Sequence, residues 1–272
     1  MKKILLTGAT DGIGLQTAMK LRSLGHELLI HGRSEEKLRH VVSLLQDIES
    51  HAPIQSYQAD LSKINDVHAL IDKIQQDYDS IDVIINNAGV LKTNTAITAD
   101  SLDIRFAVNT ISPFILSKSL LPVLAKQGRV INVSSAAQAP VDIDLLLGKY
   151  HSNNDMQVYA QSKLAITIWS QELAKKALTQ QVIVAVNPGS LLASKMVKEG
   201  FGITGNSLDI GADVLVKAAI SDEFLEASGK YYDNDNRQFT PPHADAQNVD
   251  KCKQVMQTLD AIVKRMSTGS NP

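Results

Sequence analysis

The eight residues Thr7-Gly8-Ala9-Thr10-Asp11-Gly12-Ile13-Gly14 constrain this chain most, because they join a short apolar run to a helical pattern through glycines. Lys3 to Leu6 reads as a buried strand, and Ile13, Ala18, Leu21 and Leu24 recur at helical spacing up to a stop at Gly25. A strand that feeds a helix through glycines lets backbone approach a ligand closely, and the free N–H groups and dipole of the helix attract an anion. The pattern predicts a phosphate cradle and hence a nucleotide cofactor; a plain Gly-rich strand-to-helix turn has the same local composition.

Further strand-like runs fall at Glu27–His31, Ile54–Tyr57, Ile81–Ile85, Arg129–Val133 and Gln181–Val186, with helical patterns at Ser34–Glu49, Ser62–Tyr78, Asp100–Lys126 and Met156–Thr179. Strict alternation predicts an α/β fold: a single-domain, Rossmann-like, doubly wound parallel sheet with helices on both faces. In such a sheet ligands sit beyond the strand C-termini. Polar motifs stand just there: Thr7–Gly14, His31-Gly32-Arg33, Asp60-Leu61, Asn86-Asn87-Ala88-Gly89, Ser134-Ser135 and Asn187-Pro188-Gly189.

With 272 residues and 44% hydrophobic content the chain can bury a large core, and no linker, repeat or charge block divides it. One catalytic domain over 1–266 and a disordered tail over 267–272 are expected. The net charge of -2, with acids and bases interspersed, offers no basic stripe for nucleic acid and no cationic face for a membrane. The most membrane-like segment, Ile111 to Ala125, is broken by Pro113, Ser117, Lys118 and Ser119, so no span is predicted. Met1 to Leu6 is too short for a secretory signal and reads as the first strand. The single Cys252 fits a reducing cytoplasmic setting and argues against a disulfide or metal site.

Tyr159 and Lys163 lie one helical turn apart, on one face of the Met156–Thr179 pattern. An ammonium beside a phenol lowers its pKa and makes it usable for proton transfer near neutrality. The same spacing is also common on exposed helices, where it carries no chemistry.

Taken together, Thr7–Gly14, Asp60-Leu61, Asn86-Asn87-Ala88-Gly89, Asn109, Ser134-Ser135, Tyr159 with Lys163 and Pro188-Gly189 resemble the short-chain dehydrogenase/reductase family over nearly the whole chain. The resemblance implies a catalytic tetrad of Asn109, Ser135, Tyr159 and Lys163. Tyr159 would protonate the carbonyl oxygen as hydride reaches carbon, and Ser135, rather than Ser134, would orient it. Lys163 would lower the Tyr159 pKa and hold the cofactor ribose. Asn109 would anchor a proton-relay water; alternatively it faces a neighbouring backbone group in a helix kinked near Pro113. The cofactor contacts implied are Gly8, Thr10, Asp11, Gly12, Ile13, Gly14, Arg33, Ser34, Asp60, Leu61, Asn87, Ala88, Gly89, Tyr159, Lys163, Pro188, Gly189 and Leu192. No metal is implied.

Arginine at the end of the second strand favours a 2′-phosphate, where a carboxylate would read a free 2′-OH. Arg33, with Ser34 at a helix start and Lys37 a turn later, therefore predicts NADP(H); an exposed surface arginine is the competing view. Asp11, where phosphate-preferring relatives often carry a base, leaves NAD(H) possible. Asp60 would meet the adenine amino group, or else Asp60 or Ser62 would cap a helix.

The stretch Ala136 to Val158, with Asp142, Asp144, Leu145-Leu146-Leu147 and Tyr150, is longer than in much of the family and is expected to loop out beside the site. It resembles the retinol dehydrogenase-like and WW-domain oxidoreductase-like branch, as do Ser162-Lys163-Leu164-Ala165 and Ser228-Gly229-Lys230-Tyr231-Tyr232. Residues 190–207, with Leu191, Leu192, Met196, Val197, Phe201 and Ile203, look like an apolar lid, with Ser194 near the carboxamide. The expected substrate is a small apolar aldehyde or ketone, or the matching alcohol. Pro241-Pro242 and the Val249–Met266 helix would wrap the substrate edge or complete the core. The Asp100–Lys126 and Met156–Thr179 helices could form the family's four-helix contact in a homodimer or tetramer.

A catalytically silent nucleotide sensor of the same fold is the alternative. A sugar-nucleotide epimerase lacks room for its larger substrate domain. A serine hydrolase lacks a G-x-S-x-G elbow, and the seven histidines show no triad context.

Overall fold

Strands that are apolar on consecutive residues must be covered on both faces, and here they lie side by side between two helical layers. The structure, a computed structural model, describes residues 1–178, 180–193 and 205–267. Lys3–Leu6 (β1), Glu27–Gly32 (β2), Ile54–Gln58 (β3), Ile81–Asn86 (β4), Leu124–Val133 (β5), Val182–Asn187 (β6) and Tyr231–Asp233 (β7) run parallel. Gln238–Thr240 (β8) closes the edge antiparallel to β7. The order β3-β2-β1-β4-β5-β6-β7-β8 is that of a Rossmann-like sheet, with its switch point between β1 and β4.

Gly12–Ser23 (α1), Glu35–Gln46 (α2), Ile64–Asp77 (α3), Ile104–Val123 (α4), Ile143–Leu146 (α5), Asp155–Ala174 (α6), Leu208–Ile220 (α7) and Val249–Ser267 (α8) supply the helices. On one face Ala18, Leu21, Leu38, Val41, Val214 and Leu215 meet Ile4, Leu6, Ile30 and Ile85. On the other, Val67, Ile71, Phe114, Trp169, Leu259 and Ile262 meet Leu5, Leu29, Ile84 and Ile183. Alternate residues of each strand thus feed opposite cores, as the pleat requires.

Several expectations shift. The helix expected over Asp100–Lys126 runs over Ile104–Val123, and Leu124 already pairs with Ile81 as the start of β5. Pro122 ends it, in a 3₁₀ turn over Leu121–Val123. The irregularity near Pro113 is a π turn over Ala107–Ile111. Proline has no N–H for the carbonyl four residues back, which is that of Asn109. The helix expected over Met156–Thr179 ends at Ala174.

The Ala136 to Val158 stretch does not loop out. Asp142 caps α5 by accepting from the N–H groups of Asp144 and Leu145, and Leu145 and Leu146 are buried in the core. The burial of two consecutive leucines outweighs the freedom of a surface loop. In α8, Cys252, Val255, Leu259 and Ile262 complete the same core, and Lys118 of α4 pairs with Asp260 at 2.7 Å. The helix thereby covers part of the α4–α6 layer expected to meet a second subunit. Helix α4 is long and apolar enough to cross a membrane, yet 72% of its most apolar window is buried inside the fold.

Candidate active site

The glycine turn is shaped by two close approaches. Gly8 has φ +65°, and a Cβ there would come within 2.8 Å of Ala88 Cα; a Cβ on Gly14 would collide with the Gly8 carbonyl and sit 2.5 Å from Asn87 Nδ2. The neighbouring strand end locks the turn. Thr7 Oγ1 accepts from the N–H groups of Asn87 and Ala88 at 3.0 and 3.1 Å, and Asn87 Nδ2 donates to the carbonyls of Thr7 and Gly8 at 3.0 Å each. Asp11 caps α1 by accepting from Gly12 N–H at 2.7 Å. Asn86, from the same motif, points into the sheet, donating to Ser117 Oγ and Asn132 Oδ1 at 2.8 and 2.7 Å.

This turn forms one wall of a cleft of about 490 Å³ along the strand C-termini. All the predicted cofactor contacts line it: Gly8, Thr10, Asp11, Gly12, Ile13, Gly14, Arg33, Ser34, Asp60, Leu61, Asn87, Ala88, Gly89, Tyr159, Lys163, Pro188, Gly189 and Leu192. Arg33 and Lys37 are exposed there, and among the described residues neither cation has an acidic partner. Ser34 caps α2, accepting from Lys37 N–H at 3.3 Å. Asp60 Oδ1 takes Ser62 N–H and Oγ–H at 3.0 and 2.8 Å, forming a local turn; the cap position of α3 itself is Lys63.

Ser135, Tyr159 and Lys163 meet at the other end of the cleft. Ser135 faces the Tyr159 side chain, and Lys163 Nζ lies 5.6 Å from the Tyr159 ring centroid. Ser134 turns the other way, its hydroxyl held by the Lys163 carbonyl at 3.0 Å and by Thr167 Oγ1 at 2.7 Å. Asn109 does not line the cleft. Its amide accepts from Val90 N–H at 2.8 Å and donates to the Val90 carbonyl and Ser162 Oγ at 3.0 and 2.9 Å.

The electrostatics correct one expectation. Burial holds the Tyr159 phenol above its ordinary value, opposed only by the neighbouring Ser135 hydroxyl. The lowering expected from Lys163 is not found. Lys163 donates to the Val133 carbonyl at 2.7 Å, and burial brings its own pKa down to about 8. Both groups lose solvation, so each shifts toward its neutral form.

Sequence reasoning missed several supports. Tyr231 of β7 donates to the Ser135 carbonyl at 3.0 Å, as does Gln138 Nε2 at 3.0 Å. Asp235, in the β7–β8 turn, accepts from Ser190 N–H, Ser190 Oγ and Asn187 Nδ2 at 2.8, 2.5 and 2.9 Å. Apart from the Gln138 bond, these link residues far apart in sequence, and no local pattern reports them. Val90, Leu91 and Lys92 also line the cleft, and their place after strand β4 was the available signal; His31, of the motif noted at the end of β2, lines it too. Of the expected lid, Ser194, Met196, Val197, Phe201 and Ile203 lie outside the described residues, as do 268–272 of the tail. The described ends of that segment meet: Ala193 N–H donates to the Asn206 carbonyl and Asn206 N–H to that of Leu191, at 2.6 and 2.7 Å.

A phosphate-ready turn on a Rossmann-like sheet, with a tyrosine–lysine–serine group across the cleft, defines a nucleotide-dependent oxidoreductase site. The family model for short chain dehydrogenases matches residues 2–201, and the chain belongs to that family. It is 28% identical over 267 residues to retinol dehydrogenase 13 of Homo sapiens, covering 91% of this chain and 81% of the relative. Retinol dehydrogenase 12 of Bos taurus is 30% identical over 258 residues, covering 89% and 81%. A short chain dehydrogenase from Shigella flexneri 2a, solved with NADP, superposes with a TM-score of 0.68 at 26% identity, covering 86% of this chain and 97% of that one.

Proposed function

We propose that this short-chain dehydrogenase/reductase uses NADP(H) to interconvert an apolar aldehyde or ketone with its alcohol, with Tyr159 as general acid and base. The observation that carries the reading is the convergence of Ser135, Tyr159 and Lys163 at one end of the cleft whose other end is the glycine turn. The donor set fits a phosphorylated dinucleotide: the N–H groups opening α1 suit a pyrophosphate, and Arg33 and Lys37, without an acidic partner among the described residues, suit a 2′-phosphate. When bound, that cofactor supplies or accepts the hydride.

The chain's own residues do the rest. Ser135 Oγ orients the carbonyl oxygen. In reduction Tyr159 gives its proton to that oxygen as carbon receives the hydride, and in oxidation it takes the proton back. A phenol held above its ordinary pKa is protonated at neutral pH, as the reductive direction needs. Lys163, in the cleft beside the phenol, would hold the cofactor ribose. Asn109 acts from behind, because its carbonyl lacks the helical donor at Pro113 and can hold a relay water.

Val90, Leu91, Ile104, Val108 and Leu192 give the cleft apolar walls. Those walls, and relatives named retinol dehydrogenases, support an apolar substrate. The single, buried Cys252 supports a reducing, cytoplasmic location. The test is NADPH consumption over a panel of apolar aldehydes and ketones, with Tyr159→Phe as control. Turnover should fall by roughly 10²–10⁴ in the variant while NADPH binding persists. A protein that binds NADPH and turns over none of the panel would instead be the nucleotide sensor.

A further inference from the structure

His31 is 3% exposed and reaches the cleft from inside β2. Its Nε2 lies 3.1 Å from the Ala59 carbonyl, which can only accept, so Nε2 carries the ring proton. Nδ1 is then a bare acceptor, and it takes the Gly8 N–H at 3.3 Å. The main chain adds to the link: the His31 carbonyl accepts from Ala9 N–H at 3.0 Å, and the Gly32 carbonyl from Ala59 N–H at 3.2 Å. One imidazole thereby ties the glycine turn to the end of β3, where Asp60 and Leu61 line the cleft. Because Asn87 holds the Gly8 carbonyl, both polar groups of the first glycine are fixed by side chains.

We propose that His31, as the neutral Nε2–H tautomer, is a positioning residue that pre-organises the dinucleotide cradle by holding Gly8 and Ala59 in fixed relation. The inference rests on the dinucleotide reading above. A cradle ordered beforehand loses less freedom on binding, so the latch acts on cofactor affinity and leaves the proton-transfer end untouched. Burial agrees with a neutral ring, bringing the imidazole down to about 4 against the opposing pull of the Ala59 carbonyl and Asp60.

Long-range ¹H–¹⁵N spectra of the intact, nucleotide-free protein should show His31 as the Nε2–H tautomer, uncharged from pH 5.5 to 8; an Nδ1–H tautomer or a charged ring overturns the proposal, with no variant needed. Calorimetric titration with NADPH supplies the second arm. His31→Leu, which removes both bonds, should weaken binding roughly tenfold, whereas His31→Asn, whose Oδ1 can still accept from Gly8, should stay within about threefold. At saturating NADPH, kcat of His31→Leu should remain within about twofold of the parent protein. If the parent protein binds NADPH and His31→Leu binds it equally well, the latch is refuted and the functional reading stands. If the parent protein binds no dinucleotide, both fall together.

Discussion

The two ends of the cleft are built differently. At the β1–β4 end each functional group follows its own strand within a few residues, and the glycine turn is braced by its sheet neighbours β2 and β4. At the β5–β7 end the site depends on groups brought from far along the chain: Tyr231 on the Ser135 carbonyl, and Asp235 on Ser190 and Asn187. On the proposed reading, the first end selects and holds a nucleotide by backbone shape and cationic charge. The second, on the same reading, performs proton transfer in a buried setting, where every polar group needs a partner. Binding and chemistry should therefore separate when each end is altered.

The sharpest division is between Ser135 and Gly14. Ser135→Ala should lower turnover by roughly 10²–10³ with the NADPH dissociation constant unchanged, read by steady-state kinetics beside calorimetry. Gly14→Val should do the reverse. Its side chain would strike the Gly8 carbonyl and Asn87, so dinucleotide affinity should drop by more than about 100-fold, and a variant that binds normally would contradict the cradle geometry.

Charge at the nucleotide end should be smaller in effect and selective. Arg33→Asp should move the NADPH/NADH preference in kcat/KM by about 10–100-fold toward NADH, and equal losses with both would signal misfolding.

Two pH experiments sharpen the comparison further. With Lys163 near 8, reductive kcat/KM should decline above about pH 8 as the ammonium is lost, and Lys163→Arg should move that limb upward. The nucleotide end should show its pH dependence in stability. His31 has a folded pKa of about 4 against 6.5 for the free group, so the unfolded chain binds the proton first. Its contribution is complete above about pH 6.5 and shrinks as pH falls to about 4, by the order of 3 kcal/mol in denaturant titrations. His31→Asn should flatten that slope.

The same division marks what could be read in advance. Strands β1 to β6, helices α1 to α3 and the cleft motifs were legible because periodicity and glycine placement are local properties. Tyr159 with Lys163 was legible only as part of a larger set of motifs. Strands β7 and β8 were missed, being three residues each, too short for alternation to register. Ala136 to Val158 was misread as a projecting loop because nothing local shows that Leu145 and Leu146 find the core beside α8. The sense of the Tyr159 shift was also missed, since spacing shows a nearby charge and not the desolvation that opposes it.

By itself, then, the amino-acid order determined the alternating architecture, the phosphate-ready turn and the residue types facing the cleft, because each follows from the conformational preferences of neighbouring residues. Tertiary structure alone decided that Asn109 braces Val90, that α8 covers part of the α4–α6 layer, and that His31 joins Gly8 to Ala59. Those outcomes turn on burial and on which distant donor meets which acceptor, and both exist only once the chain has closed on itself.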